Sequence, residues 1–96
     1  MSTYTRTPSN GVSFGTIVTA VTADQTAGFI LVDFGTEYDL VASILVTDGN
    51  DENVALEDAV ITYPEEGQIK IENGNSLFTV TTGYQFHIIA QRNKTD

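Results

Sequence analysis

Residues 68–91 of the chain read QIKIENGNSLFTVTTGYQFHIIAQ. Apolar and polar side chains alternate in two parts of this stretch, residues 68–72 and residues 84–91. Such alternation is typical of a β-strand that turns one face to a core and the other to solvent. Ile89 is the exception, because it falls on the polar side of the second run together with His87.

Turn residues separate these runs and others upstream. Asn73-Gly74 is a strong hairpin signal and predicts a turn between residues 68–72 and a further strand at 77–81. Thr82-Gly83 predicts another tight connection. The segment 64–67 ends in a glycine, which can take a positive φ in a turn between two strands. The C-terminal third is therefore predicted to be a meander of hairpins.

Most of the remaining chain consists of short runs of Val, Ile, Thr, Phe and Tyr between Gly, Asn, Asp and Pro. About seven strands fit an all-β fold, either a small antiparallel β-sandwich or a barrel. Gly15 interrupts the first strand, and a single helical turn is expected at residues 53–57. The strands are predicted at residues 12–23, 28–34, 40–47, 59–63, 68–72, 77–81 and 84–91.

A chain of 96 residues forms one domain. Residues 1–11 are rich in Thr, Ser and Asn without apolar periodicity, and they are expected to form a flexible or extended N-terminal arm. This arm either stays disordered or orders against a neighbouring subunit. The β domain is expected at 12–92 and a short tail at 93–96.

The chain is strongly acidic, with 13 Asp and Glu against four Lys and Arg and a net charge of −9. Lys70 is the one base between Asp24 and Glu72. A phosphate-binding surface needs clustered cations, so neither nucleic acid nor membrane is an expected partner. No apolar stretch approaches the length of a membrane span, and no secretory signal is recognised, so synthesis in the cytoplasm is expected.

Residues that could carry chemistry are few. The acidic loop 48–53 departs from the EF-hand pattern, with Asn53 and Ala59 where Gly and Glu belong, so a solvated turn is favoured over a calcium site. His87 is the single histidine and has no nucleophile motif near it, which favours a surface or interface histidine. There is no cysteine. We therefore expect no enzyme, no cofactor and no catalytic or metal-binding residue.

Two strands are apolar on both faces, residues 29–34 and 40–46. A strand of this kind needs cover on both sides, and so short a chain has little material to supply it. The cover is either a second subunit, which predicts a homo-oligomer, or the arm or a loop. The residues predicted to make self-association or capsid contacts are Phe29, Leu31, Phe34, Leu40, Ile44 and Val46, with Tyr4 and Arg6 of the arm.

The residues 68–71, the turn Asn73-Gly74 and the run from Thr81 to Ala90 together resemble the closing strands of small phage structural proteins. That group includes capsid decoration or cement proteins and head-fibre domains. The resemblance implies a virion protein on the capsid surface that binds the major capsid protein, stabilises the shell and forms a trimer. The alternative is a receptor- or glycan-binding module of a fibre or tail, with Tyr38 and Tyr63 as stacking platforms.

Overall fold

A computed structural model of the protein describes residues 3–5, 13–35 and 40–91. These residues form eight strands and one short helix, which confirms the all-β class. In chain order the elements are β1 (Thr3–Thr5), β2 (Ser13–Thr19), α1 (Thr22–Ala27), β3 (Phe29–Asp33), β4 (Leu40–Thr47), β5 (Asn53–Val54), β6 (Val60–Thr62), β7 (Gln68–Glu72) and β8 (Gln85–Gln91).

The strands form two four-stranded sheets that pack as a small sandwich. Sheet A has the order β1-β3-β7-β6, and sheet B has the order β2-β8-β4-β5. Every pair is antiparallel except β1 with β3, which run parallel. Of the two predicted architectures, the structure therefore has the sandwich.

The core lies between the inner faces of the two sheets. On sheet B, Val18, Phe86 and Val46 stand side by side in register. On sheet A, the inner face carries Ile30 beside Ile71, and only the strand of Ile71 showed this alternation in the sequence. All five side chains are at most 1% exposed, and along β3 and β7 every second residue is buried.

The helix α1 corrects two sequence predictions. The first strand was expected to extend to residue 23, but it ends at Thr19 and the helix begins at Thr22. The helical turn was expected at 53–57, where the structure begins with the short strand β5. Asp24 explains the helix, because its carboxylate accepts the N–H of Val21, 2.9 Å away, just before the first turn. Gly28 ends the helix with a left-handed φ of 84°.

The predicted strand at 77–81 and the hairpin at Asn73-Gly74 are wrong, because the described structure has no strand between β7 and β8. Phe78 and Val80 are nevertheless buried in the core. Their backbone N–H groups bond to side chains instead of to a neighbouring strand. Asn73 Oδ1 accepts the N–H of Val80 at 2.7 Å, and Asp58 accepts that of Phe78 at 2.8 Å.

Asp58 holds this irregular segment through three hydrogen bonds. Besides the N–H of Phe78, its carboxylate accepts those of Ser76 at 2.9 Å and Leu77 at 3.1 Å. Hydrogen bonds to the ionised form, those from Ser76 and Phe78 first, lower the pKa of Asp58 from 3.8 to about 2. The carboxylate thus satisfies donors that a strand would otherwise have to satisfy.

Part of the predicted arm lies within the sandwich. β1 pairs with β3 of the same chain, and the Tyr4 hydroxyl donates to Asp24 Oδ2 at 2.6 Å. Asp24 is fully buried, and its other oxygen, Oδ1, has no hydrogen-bond partner among the residues that the structure describes. Residues 6–11 of the arm and the tail at 93–96 lie outside the described residues.

We expect Tyr4→Phe to lower the free energy of unfolding by about 1–3 kcal/mol, because it removes a donor from a buried carboxylate. Urea denaturation followed by circular dichroism would measure the loss. Tyr63→Phe is the matched control, since the Tyr63 side chain is 54% exposed, and it should change the stability little. Equal stability of the two variants would contradict the role given to the Tyr4 hydroxyl.

We expect Asp58→Asn to lower the midpoint of urea denaturation at pH 7, because the amide keeps the shape of the carboxylate but not its charge. The folded pKa lies below the ordinary one, so the carboxylate stabilises the fold above about pH 4 and loses this effect as the pH falls toward 2. The gap between wild type and variant should therefore shrink over that range. Glu66→Gln, an exposed change of the same charge, should leave the pH 7 midpoint in place.

Candidate functional site

The outer face of sheet A carries charged and polar side chains next to apolar ones, among them Leu31 and Val60, of which Val60 is 45% exposed. Lys70 Nζ lies 3.6 Å from Glu72 Oε2 and 4.4 Å from the centre of the Phe29 ring. Gln68 donates from Nε2 to Asp33 Oδ2 at 3.2 Å. Charged groups therefore lie beside the apolar side chains of this face, and the Phe29 ring lies against the lysine.

The outer face of sheet B has a different composition. Strand β8 lies between β2 and β4, and the registers place three outward rows across the part of these strands whose side chains the structure describes. None of the nine residues in the rows is Asp, Glu, Lys or Arg. We call this surface the neutral face, and its rows are Gly15–Ile89–Ser43, Ile17–His87–Leu45 and Thr19–Gln85–Thr47.

Three large apolar side chains of the neutral face lie open to solvent. Ile17 is 54% exposed, Leu45 47% and Ile89 44%. Gly15 and Ser43 flank Ile89 with little side-chain volume, and a Cβ placed on Gly15 would lie 3.9 Å from Ile89. The result is a shallow groove of about 600 Å³, lined by these residues and His87.

His87 stands at the middle of the central row, between Ile17 and Leu45. Its Nε2 lies 3.0 Å from the Thr47 hydroxyl, which is also 3.5 Å from Gln85 Oε1. The side chain lies on the solvent side of β8, as the alternation of the sequence predicted. A general base of a triad is oriented by a carboxylate, and the outward residues of β2 and β4 in the rows provide none.

The residues predicted from the sequence to make contacts lie in several places. Phe34 and Val46 belong to the protein's own core and are buried, and Ile44 packs against that core. Phe29 and Leu31 are half-buried on the outer face of sheet A. The structure thus does not bring these residues together on one surface.

The three other predicted contact residues are placed as follows. Tyr4 packs against the core and bonds to Asp24. The backbone of Leu40 belongs to β4, while its side chain lies outside the described residues, as does Arg6. Contacts made by Leu40 and Arg6 stay predictions.

The prediction from the sequence missed Ile17, Leu45 and Ile89 as a group. Each carried a partial signal. Ile89 broke the alternation of its strand, Leu45 belonged to a strand apolar on both faces, and Ile17 followed the glycine that interrupts β2. What the sequence did not contain was the order of the strands, which places the three side chains on one face.

In the acidic loop after β4, the carboxylate of Asp48 accepts hydrogen bonds from the backbone of the loop itself. Asp48 Oδ1 accepts the N–H of Asn50 at 2.8 Å and that of Glu52 at 3.0 Å. Among the residues that the structure describes, no group of three or more His, Asp or Glu side chains is placed to hold a metal ion. Over the same residues, no helix has the length and apolar character needed to cross a membrane.

Of the two tyrosines considered as stacking platforms, Tyr63 follows β6 and is 54% exposed. Tyr38 lies outside the described residues. The neutral face is therefore the most distinctive surface of the described structure, since it combines three exposed apolar side chains with uncharged polar ones on three neighbouring strands.

Comparison of the chain with protein-family models, with curated proteins and with solved structures finds no match.

Proposed function

We propose that this protein is an assembly protein, a phage virion protein that decorates the capsid, binds the major capsid protein and stabilises the shell. The neutral face is the surface through which it associates. The observation that carries the proposal is the placement of Ile17, Leu45 and Ile89, three exposed apolar side chains on adjoining strands. The resemblance of residues 68–71, the turn Asn73-Gly74 and residues 81–90 to the closing strands of small phage structural proteins supports a role on a virion.

The charge distribution supports association at this face. A surface that only meets water has no need to concentrate apolar side chains, and exposed apolar patches mark interaction sites in many proteins. Carboxylates occur elsewhere on the protein, as Asp33 and Glu72 do on sheet A, but not in the rows of the neutral face. Burying this face against a partner therefore desolvates no permanently charged group.

A decoration protein also needs a rigid body, because the shell it stabilises must not deform it. The protein has such a body, because its two sheets pack against each other and Tyr4 bonds to the buried Asp24. Asp58 also holds the segment 76–78 through hydrogen bonds. The role requires no catalysis and no cofactor.

A second candidate function is a receptor- or glycan-binding module of a fibre or tail. The observation in its favour is the exposure of Tyr63, since an open aromatic ring can stack on a sugar. A glycan array separates the two functions. Binding that depends on Tyr63 and not on Leu45 would favour this candidate over the assembly protein.

We expect the protein to sediment with capsids of its parent virus that lack it, with a copy number that matches a set of equivalent capsid positions. Leu45→Lys should weaken this binding by at least about tenfold, because it places a charge in an apolar contact. Quantitative mass spectrometry of the pelleted capsids would give both results.

Leu77→Lys is the matched control, because it makes the same substitution at a leucine that is 66% exposed and lies off the neutral face. It should bind capsids as the wild type does. If wild-type protein stays in the supernatant at every concentration, the decoration function is wrong. If both lysine variants bind like the wild type, the neutral face is not the surface involved.

A further inference from the structure

We infer that Asn73-Gly74 is a site of spontaneous deamidation that the fold holds closed, so that Asn73 reacts only in molecules in which the segment 73–80 has opened. The inference does not depend on the proposed function. The sequence predicted a hairpin turn at this pair of residues. In the structure the pair is instead the centre of a set of hydrogen bonds outside any strand.

Asparagine followed by glycine is the pair of residues most prone to deamidate, because glycine has no side chain to hinder ring closure. The backbone nitrogen of Gly74 would attack Cγ of Asn73. The new bond joins these two atoms, the bond from Cγ to Nδ2 breaks, and the proton of the Gly74 nitrogen leaves with the ammonia. Water then opens the cyclic imide to aspartate or to isoaspartate, so the reaction needs only water.

The structure requires this reactive pair. Asn73 Oδ1 accepts the N–H of the buried Val80 at 2.7 Å, and a side chain without such an acceptor would leave that donor unsatisfied. Gly74 has no room for a side chain, because a Cβ there would collide with the carboxylate of Asp58. The fold thus selects an acceptor side chain followed by glycine, which is the combination that forms the imide.

The same contacts hold the reacting atoms apart from each other. The N–H of Gly74, which carries the attacking nitrogen, donates to the carbonyl of Phe78 at 2.8 Å. Ring closure requires this nitrogen to lose its proton and Cγ of Asn73 to rotate toward it. The first step breaks the hydrogen bond to Phe78, and the second breaks the one to Val80.

Asn73 is also held from the side of the helix α1. Its backbone N–H donates to the carbonyl of Gly28 at 2.8 Å. Its amide packs against the same residue, since a Cβ on Gly28 would lie 3.0 Å from Asn73 Nδ2. Both the backbone and the side chain of Asn73 would therefore have to move before the imide could form.

Opening of the segment 73–80 is the route to reaction. The described structure has no strand between β7 and β8, and the side chains of Asp58 and Asn73 hold the backbone there. A segment held in this way can open without separation of the two sheets. Its deamidation rate is then the rate of the unfolded chain multiplied by the fraction of molecules that are open.

The reaction cannot be reversed, and its two products differ. Aspartate at position 73 keeps an oxygen that can accept the N–H of Val80. Isoaspartate lengthens the backbone by one methylene, so the contacts to Val80 and Phe78 cannot form together. Asn73 therefore limits the time for which an unfolded chain stays able to fold.

Peptide mapping by mass spectrometry tests the inference on the full chain, aged in buffer and in guanidinium chloride at the same pH and temperature. In denaturant, Asn73 and the second Asn-Gly pair of the chain, Asn10-Gly11, should react at similar rates. In buffer, Asn73 should react at least about tenfold more slowly than in denaturant. Asp58→Asn should raise the rate in buffer at least about threefold, because it weakens the hold on the segment. Glu66→Gln, an exposed change of the same charge, should leave the rate unchanged.

Refolding of the chains aged in denaturant gives a second test that needs no variant. After transfer to buffer, size-exclusion chromatography separates folded from unfolded chains. Chains with isoaspartate at position 73 should collect in the unfolded fraction. Chains with aspartate at the same position are the matched control, and they should collect in the folded fraction.

Three results would overturn the inference. The first is a rate for Asn73 that is the same in buffer and in denaturant, since the fold would then give no protection. The second is a rate that Asp58→Asn and Glu66→Gln leave equal. The third is an even distribution of isoaspartate at position 73 between the folded and unfolded fractions.

Discussion

The alternation of side chains along each strand is the constraint on which the rest of the structure depends. Every strand has two faces, and the core of a two-layer sandwich can take only one of them. Val18, Phe86 and Val46 fill the inner side of sheet B, so their immediate neighbours along the strands must point outward. A chain of 96 residues does not form a third layer over them in the described structure, and the outer faces therefore determine how the protein meets its surroundings.

The pattern of apolar and polar residues was sufficient to predict a strand wherever a neighbouring strand pairs with it in the fold. The bounds of β4 and β7 agree with the sequence prediction, and the turn at 64–67 joins β6 to β7 with Gly67 at a φ of 79°. Long-range hydrogen bonds explain the failures. Residues 77–81 have strand composition, but Asp58, distant in sequence, accepts the N–H groups of Leu77 and Phe78, and Asn73 accepts that of Val80. The helix α1 is too short for periodicity to reveal, and its one local signal was a carboxylate near its start.

The candidate site was predictable only in part. The sequence showed that the strand at 40–46 is apolar on both faces, so one apolar face would lie outside the core. Leu45 lies on that outward face. It did not show that β2 and β4 would flank β8, because strands from the beginning and the middle of the chain come together there only through tertiary pairing. Phe34 and Val46, which the sequence predicted to make contacts, lie in the protein's own core. Alternation assigns half of an apolar strand to the interior, and only the fold shows which half.

The three hydrogen bonds that Asp58 accepts have a consequence for protein engineering. Because a carboxylate holds the backbone there, the residues between β7 and the buried Phe78 carry no demand for β-forming side chains. Gly74 is fixed, since any larger residue would collide with Asp58, but Asn75 beside it points to solvent. This loop is a natural position for displaying a grafted peptide, on a protein whose sheets would remain as they are.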